Sequence, residues 1–318
     1  MKKTGIKAPL MLLFGIFLIG CFAGCQGKGY TKVIKLEFDG QTRSYRLHVP
    51  TAYSSEKVYP LVLVLHGGSG NAEQIEKTTG MSDKSDKEGF LVGYPDGTGR
   101  LNNVYVWNAG FCCGSAYENN VDDVGFIKAL INDVKSSYEI DTDRIYITGF
   151  SNGAMMTHRL GSELSDLIAA IAPVSGAIGG KFLANSQLYT IPEPVNNVPV
   201  LAFHGKNDDV VPYDGGLPPR VVRGNAYSFA SVADAVEAWL SFNQNSSAAE
   251  ETTSSNGNII VKKYSGGSNN AEVVLYTIVD GLHAWPGAQW VRPKAEQPTY
   301  DIIATDIIWD YFKNHPKN

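Results

Sequence analysis

RIYITGFSNGAMMTHRLGSEL, residues 144–164, sets a serine between two glycines where one hydrophobic pattern gives way to another. Residues 144–150 are β-branched and aromatic, as in a buried strand, and residues 152–164 follow a helical pattern. A sharp strand-to-helix turn strains the backbone of the residue at its tip. Gly149 and Gly153 leave room for such a turn, which holds the Ser151 hydroxyl out above the sheet. The string G-x-S-x-G is weak by itself in a chain with 33 glycines. A plain turn with Ser151 as a helix cap is the competing reading.

Partners for the hydroxyl decide between the two. A serine needs a histidine to take its proton and a carboxylate to orient that histidine. After a strand–serine–helix turn of this kind the order is acid, then histidine. Of the six histidines, His48, His66, His158 and His204 come too early and are read as structural, and His315 closes the last helix. His283 follows the run EVVLYTIV (272–279) in the loop GLHAWPG (281–287) and is the expected base. The acid is sought after VPVLAFH (198–204), where Asp208 and Asp209 follow directly. The pattern HGxxD followed by VPY favours Asp208, with Asp209 as the alternative. Asp214 and Asp280 are less well placed. The oxyanion donors expected are the backbone N–H of Asn152 and one from HGGSG (66–70), assigned to Gly68.

Around this stretch, LVLVLH (61–66), FLVGY (90–94), IAAIAPV (168–174) and VPVLAFH read as strands buried on both faces. Residues 123–137, 231–242 and 300–312 read as amphipathic helices, with Asp122 or Asp123 capping the first. Asp39 and Gly40 signal a hairpin between two early strands. Residues 243–257 are polar and without period, and read as a surface loop. The alternation predicts an α/β fold with a mostly parallel central sheet and helices on both faces. Residues 30–318 are expected to form one catalytic domain.

The 318-residue chain is 43% hydrophobic, 19% charged and 11% aromatic, the composition of a folded protein. MKKTGIK followed by APLMLLFGIFLIG reads as an export signal over residues 1–20, too short in its apolar run to span a bilayer. Leu18, Ile19, Gly20 and Cys21 resemble a bacterial lipoprotein lipobox. That implies a lipid on Cys21, with Cys25 as the poorer second match, and a short tether over residues 21–29. Loss of residues 1–20 removes Lys2, Lys3 and Lys7 and no acid, so a net charge of -5 becomes -8. Such a surface argues against nucleic acid as partner and leaves the lipid as the only membrane contact. Adjacent Cys112 and Cys113 lack metal-ligand spacing; they are either a vicinal disulfide or two thiols. No GxGxxG or true P-loop and no ligand cluster is present, so neither a cofactor nor a metal is expected.

With these residues in place, the chain resembles α/β-hydrolases of the polyhydroxybutyrate depolymerase and feruloyl esterase type. The likeness runs from about residue 40 to residue 312 through LHGGSG, YPDG, WNAGFCCG, VDDVGFI, GFSNGAMM, HGKNDDVVPYDGG and GLHAWPG. It implies Ser151, Asp208 and His283 as the triad, with Gly68 and Asn152 as oxyanion donors. It implies a cleft lined by WNAGFCCG, and esters of plant cell-wall polysaccharide such as xylan, or polyesters, as substrates. Trp107, Trp285 and Trp290 could offer flat surfaces to a sugar or phenolic ring. A lipid-anchored solute-binding protein with two lobes is the alternative from another class, and a serine peptidase a third reading.

Overall fold

The continuous apolar run at Leu61–Leu65 divides between two cores. Leu61, Leu63 and Leu65 belong to one buried cluster, and Val62 and Val64 to another. Successive strand residues point to opposite faces, so a strand with no polar side chain must be covered on both. The computed structural model describes residues 1, 29–182, 188–219 and 227–317. Residues 1–20, Cys21, Cys25 and the tether up to residue 28 therefore lie outside the described residues, Met1 excepted.

The chain begins with β1 (Tyr30–Phe38) and β2 (Gln41–Val49), an antiparallel hairpin closed by Asp39 and Gly40, both at positive φ. Then come β3 (Tyr59–Leu65), α1 (Ala72–Thr79), α2 (Met81–Glu88), β4 (Leu91–Pro95) and the small hairpin β5 (Thr98–Leu101) and β6 (Val104–Val106). The middle holds α3 (Gly114–Glu118), α4 (Asp123–Ser137), β7 (Ile140–Phe150), α5 (Asn152–Glu163) and β8 (Ala170–Val174). Short strands β9 (Gly179–Phe182) and β10 (Leu188–Thr190) precede β11 (Val200–Gly205), β12 (Tyr227–Phe229) and α6 (Val232–Asn243). The last part is β13 (Glu250–Thr253), β14 (Ile259–Tyr264), β15 (Val273–Ile278) and α7 (Ala304–Phe312).

Ten strands form one sheet in the order β1-β2-β4-β3-β7-β8-β11-β15-β14-β13. The six central strands from β4 to β15 run parallel, and antiparallel pairs complete both edges. α4, α5 and α6 bury Phe126, Leu130, Leu160 and Trp239 in one core. α1, α2 and α7 bury Ile75, Met81, Trp309 and Phe312 in the other. β9, β10 and β12 make a separate small sheet.

Two expectations need correction. Residues 243–257 are not wholly loop: they contain β13, which pairs antiparallel with β14 just beyond them. All four β13 residues are exposed, so no face had to be apolar and no alternation marked the strand. The last helix starts at Ala304 rather than at Tyr300, because the preceding chain bonds elsewhere: Gly287 donates to the Thr299 carbonyl and Ala304 to that of Pro286. At the start of α4 the expected cap is supplied by one member of the acidic pair. Asp122 caps the helix by accepting from the Gly125 N–H at 2.8 Å, but Asp123 is fully buried and pairs with Arg43 at 2.8 Å. Arg43 in turn lies over the Phe126 ring, 3.9 Å from its centre.

Candidate active site

β7 ends at Phe150 and α5 starts at Asn152, leaving Ser151 as the whole turn. Its φ of 56° and ψ of -119° are costly for a residue with a side chain, of order 1–3 kcal/mol. The surroundings enforce it: Ser151 N–H donates to the Val174 carbonyl at 2.9 Å and its own carbonyl accepts from Met155. A Cβ on Gly149 would sit 2.5 Å from the Gly153 carbonyl oxygen, and one on Gly153 would sit 2.5 Å from that of Leu65. Both glycines therefore serve close backbone approach under the turn.

The structure brings Ser151, His283 and Asp208 into one line. Ser151 Oγ lies 2.9 Å from His283 Nε2, and His283 Nδ1 lies 2.7 Å from Asp208 Oδ2. A carboxylate can only accept, so Nδ1 carries the ring proton and Nε2 is left to accept from the hydroxyl. Asp208, 4% exposed, is held by the N–H groups of Val210 and Val211 on its other oxygen at 2.9 and 2.8 Å. Burial opposes its ionisation. The adjacent His283, with help from His204 and the Val211 N–H, outweighs that and keeps the carboxyl below the usual carboxylate range. Asp280 and Asp214 are exposed, and it is Asp208 that meets the histidine.

The other histidines sit where early order in the chain suggested, in structural roles. His204 is buried and donates from Nε2 to the Val211 carbonyl at 2.8 Å, pinning the segment that carries Asp208. His158 accepts from Trp239 Nε1 at 3.0 Å, and burial depresses its pKa to about 3. His48 contacts Thr31 and Asp86, and His315 donates to the Tyr311 carbonyl.

His66 does more than the sequence suggested. It is 1% exposed, and its Nδ1 meets the Gly67 carbonyl at 2.8 Å while Nε2 accepts from the Gly97 N–H at 3.0 Å. Those partners require the neutral ring with its proton on Nδ1. Burial lowers its pKa to about 4, so the ring is neutral at ordinary pH. The Gly67 carbonyl also accepts from Gly70 N–H at 3.0 Å. In a trans peptide the N–H points opposite to the carbonyl. Fixing the Gly67 oxygen thus fixes the direction of the Gly68 N–H. A Cβ on Gly68 would lie 3.7 Å from Asn152 Cβ, so the two expected donors are neighbours.

Trp107 is a correction. It was expected to face substrate, but it is fully buried, donates from Nε1 to the His66 carbonyl at 2.9 Å and packs against the His66 ring. Its backbone is what serves the site. Its N–H donates to Asn152 Oδ1 at 2.7 Å and its carbonyl accepts from Asn152 Nδ2 at 3.1 Å, a two-point clamp on the residue after the nucleophile. The next residue continues the link: Asn108 N–H donates to the buried Asp123 carboxylate at 2.8 Å. Trp285 borders the cleft but is 1% exposed and bonds Thr305, which makes it wall rather than platform. Trp290, half-buried, is the tryptophan that presents aromatic surface to the cleft.

Ser151 and His283 open on a cleft of about 810 Å³, bordered among others by Gly68, Asn152, Met155, Tyr227, Phe229 and Trp290. Cys112 and Cys113 also border it, and their sulfurs are joined. Among the described residues no cluster of His, Cys, Asp and Glu could hold a metal ion, and no helix is long and apolar enough to cross a membrane.

A mostly parallel sheet with a serine on the turn after a central strand, and the acid and histidine on later loops, defines an α/β-hydrolase. The sequence family agrees: residues 43–254 match the family described as Esterase PHB depolymerase, and the chain belongs to it. Feruloyl esterase B of Piromyces equi is 31% identical over 195 residues, 61% of this chain and 34% of that protein. NocK of Nocardia uniformis subsp. tsuyamanensis, named as an esterase, is 30% identical over 281 residues, 84% of this chain and 77% of that protein. The chain thus spans about a third of the Piromyces relative and about three quarters of the Nocardia one. Among solved structures, an acetyl xylan esterase from Aspergillus awamori superposes with a TM-score of 0.58 at 15% identity, covering 88% of this chain and 99% of that one, a likeness of fold.

Proposed function

We propose that this protein is a serine carboxylic-ester hydrolase that acts outside the cytoplasm and removes hydroxycinnamoyl or acetyl groups from plant cell-wall polysaccharide such as xylan. The observation that carries the reading is the unbroken line from Asp208 Oδ2 through His283 to Ser151 Oγ, at 2.7 and 2.9 Å, on the floor of a wide cleft. The hydroxyl is already within proton-transfer distance of its base. Ser151 Oγ attacks the ester carbonyl as His283 Nε2 takes its proton. Asp208, buried and ionised, stabilises the imidazolium that forms. The negative charge on the carbonyl oxygen is met by the N–H groups of Gly68 and Asn152. His283 then protonates the leaving alcohol, and water releases the acid by the same route in reverse.

The substrate class draws on the named relatives and on the cleft. Its volume falls in the range of sites that enclose ligands of feruloyl size, and its apolar side chains suit a phenolic ring. The family match and the same apolar walls support a second reading, hydrolysis of polyhydroxybutyrate or another short polyester. A two-lobed solute-binding protein is poorly supported, since one sheet runs through the described residues from β1 to β13. An N-terminal lipid on Cys21 would tether the enzyme at the cell surface.

The test compares wild type and Ser151→Ala on methyl ferulate, acetylated xylan and short polyhydroxybutyrate. Loss of Ser151 should lower kcat by about 10⁶-fold on the preferred ester, and a fluorophosphonate probe should label wild type alone. Hydrolysis by Ser151→Ala at the wild-type rate overturns the mechanism.

A further inference from the structure

The bond between Cys112 and Cys113 takes no part in the steps above, yet both residues border the cleft that holds Ser151. Two apolar walls meet there. One belongs to the core under α1 and α7 and contributes Ile75, Phe150, Trp285, Ala288 and Val291. The His283 loop is part of this wall, and the His283 ring packs on Phe150 with centroids 4.9 Å apart. The other is a separate small cluster in which Cys112 and Met155 pack with Val211, and Cys113, Tyr227 and Phe229 pack against them. Its cleft-facing members carry no charge.

Ester chemistry assigns the walls different parts. In the tetrahedral intermediate the former carbonyl carbon bears Ser151 Oγ, the oxyanion, the acyl chain and the leaving oxygen. His283 Nε2 must reach the leaving oxygen to protonate it, so the alcohol lies along the His283 wall. The acyl chain, on another bond of the same carbon, is directed toward the second. We propose that the Cys112–Cys113 disulfide is the specificity-determining plate of an acyl subsite, selecting flat aromatic acyl groups over acetyl. This rests on the esterase reading.

The disulfide suits that part. Joining adjacent cysteines fixes their sulfurs as one surface without an S–H donor, and polarizable sulfur packs favourably against aromatic rings. The plate is also anchored to the reacting centre. Cys113 N–H donates at 3.0 Å to the Trp107 carbonyl, the same oxygen that accepts from Asn152 Nδ2, and Gly114 N–H donates at 3.0 Å to the Tyr227 hydroxyl. Cys112 is 1% exposed and anchors the plate by packing, so the surface offered to the acyl group is that of the half-buried Cys113. No other cysteine lies among the described residues, and an added thiol reagent opens the bond. With dithiothreitol, a reagent thiolate attacks one sulfur and the S–S bond breaks. Two electrons pass to the cysteines, which end as thiols, and the reagent leaves as its cyclic disulfide.

p-Nitrophenyl ferulate and p-nitrophenyl acetate share a leaving group and differ only in the acyl part. In the Cys112→Ser/Cys113→Ser double variant, the ferulate-to-acetate ratio of kcat/KM should fall about tenfold, equivalent to about 1.4 kcal/mol, with the change carried by KM for ferulate. Wild type reduced with dithiothreitol, verified by alkylation and mass, should show the same fall and recover on reoxidation; this arm stands if the variant does not fold. A ratio within twofold of wild type in the folded variant or the reduced enzyme overturns the subsite, including the case where both esters are lost equally. Alkylation of Cys112 and Cys113 in the air-oxidised protein without prior reduction, located by peptide mass, overturns it as well. Hydrolysis of both esters by Ser151→Ala at the wild-type rate overturns the underlying esterase reading, and the subsite with it.

Discussion

Replacing His66 in two different ways should separate its two hydrogen bonds, one serving turnover and the other stability. In His66→Asn the side-chain amide nitrogen falls about where Nδ1 lies, so the donor to the Gly67 carbonyl survives while the Gly97 N–H loses its acceptor. In His66→Gln the longer side chain places its carbonyl oxygen near the former Nε2, so Gly97 is satisfied and the Gly67 carbonyl loses its side-chain donor. The native contacts being exchanged are 2.8 and 3.0 Å long at a site 1% exposed. An orphaned buried N–H costs about 1–3 kcal/mol, so His66→Asn should lose that much stability in urea titration and keep kcat within a few-fold. Loss of an oxyanion donor outright costs about 10²- to 10³-fold in turnover. Gly70 N–H still holds the Gly67 carbonyl at 3.0 Å, so His66→Gln should lose less, about 10- to 100-fold. That loss should fall on kcat rather than KM, with the urea midpoint close to wild type. Equal losses of kcat in the two variants, or full activity in His66→Gln, would refute the claim that this imidazole aims the Gly68 N–H.

Three further outcomes follow from the same geometry. Asp208→Asn should reduce kcat about 10⁴-fold at neutral pH with the fold intact, since an amide would favour the wrong tautomer of His283; stopped assays on a ferulate ester read this directly. Asp123→Ala should cost about 3–5 kcal/mol in unfolding free energy, because Arg43 is left buried without its partner and Asn108 N–H without its acceptor. Stability should also fall as pH drops from about 6.5 to about 4. Burial lowers the folded pKa of His66 from 6.5 to about 4, so across that window the unfolded chain binds a proton that the native one refuses. Its full contribution, about 3 kcal/mol, is present above pH 6.5, and His66→Gln should flatten the slope of urea midpoint against pH.

Much of the site was legible because its chemistry demands particular residues in a particular order. Ser151 on a strand-to-helix turn, Asp208 after β11 and His283 after β15 follow from local pattern and from the fixed sequence of roles on such sheets. The choice of Asp208 over its neighbour needed coordinates. Adjacent residues at a strand end point in different directions, and only packing tells which one meets the imidazole. Trp107 needed coordinates for a related reason: an aromatic residue near a nucleophile can face the cleft or the core, and the local sequence is the same in both.

Periodicity in the amino-acid sequence was enough to determine the α/β alternation, the doubly covered central strands and the Asp39–Gly40 hairpin, because each is encoded within a few consecutive residues. Tertiary structure alone decided the burial of Asp123 against Arg43, the clamp of Trp107 on Asn152, and the union of Cys112 with Cys113 at the cleft. These contacts join segments that local pattern treats as independent, or depend on side-chain direction, and both are fixed only when the two cores close around the sheet.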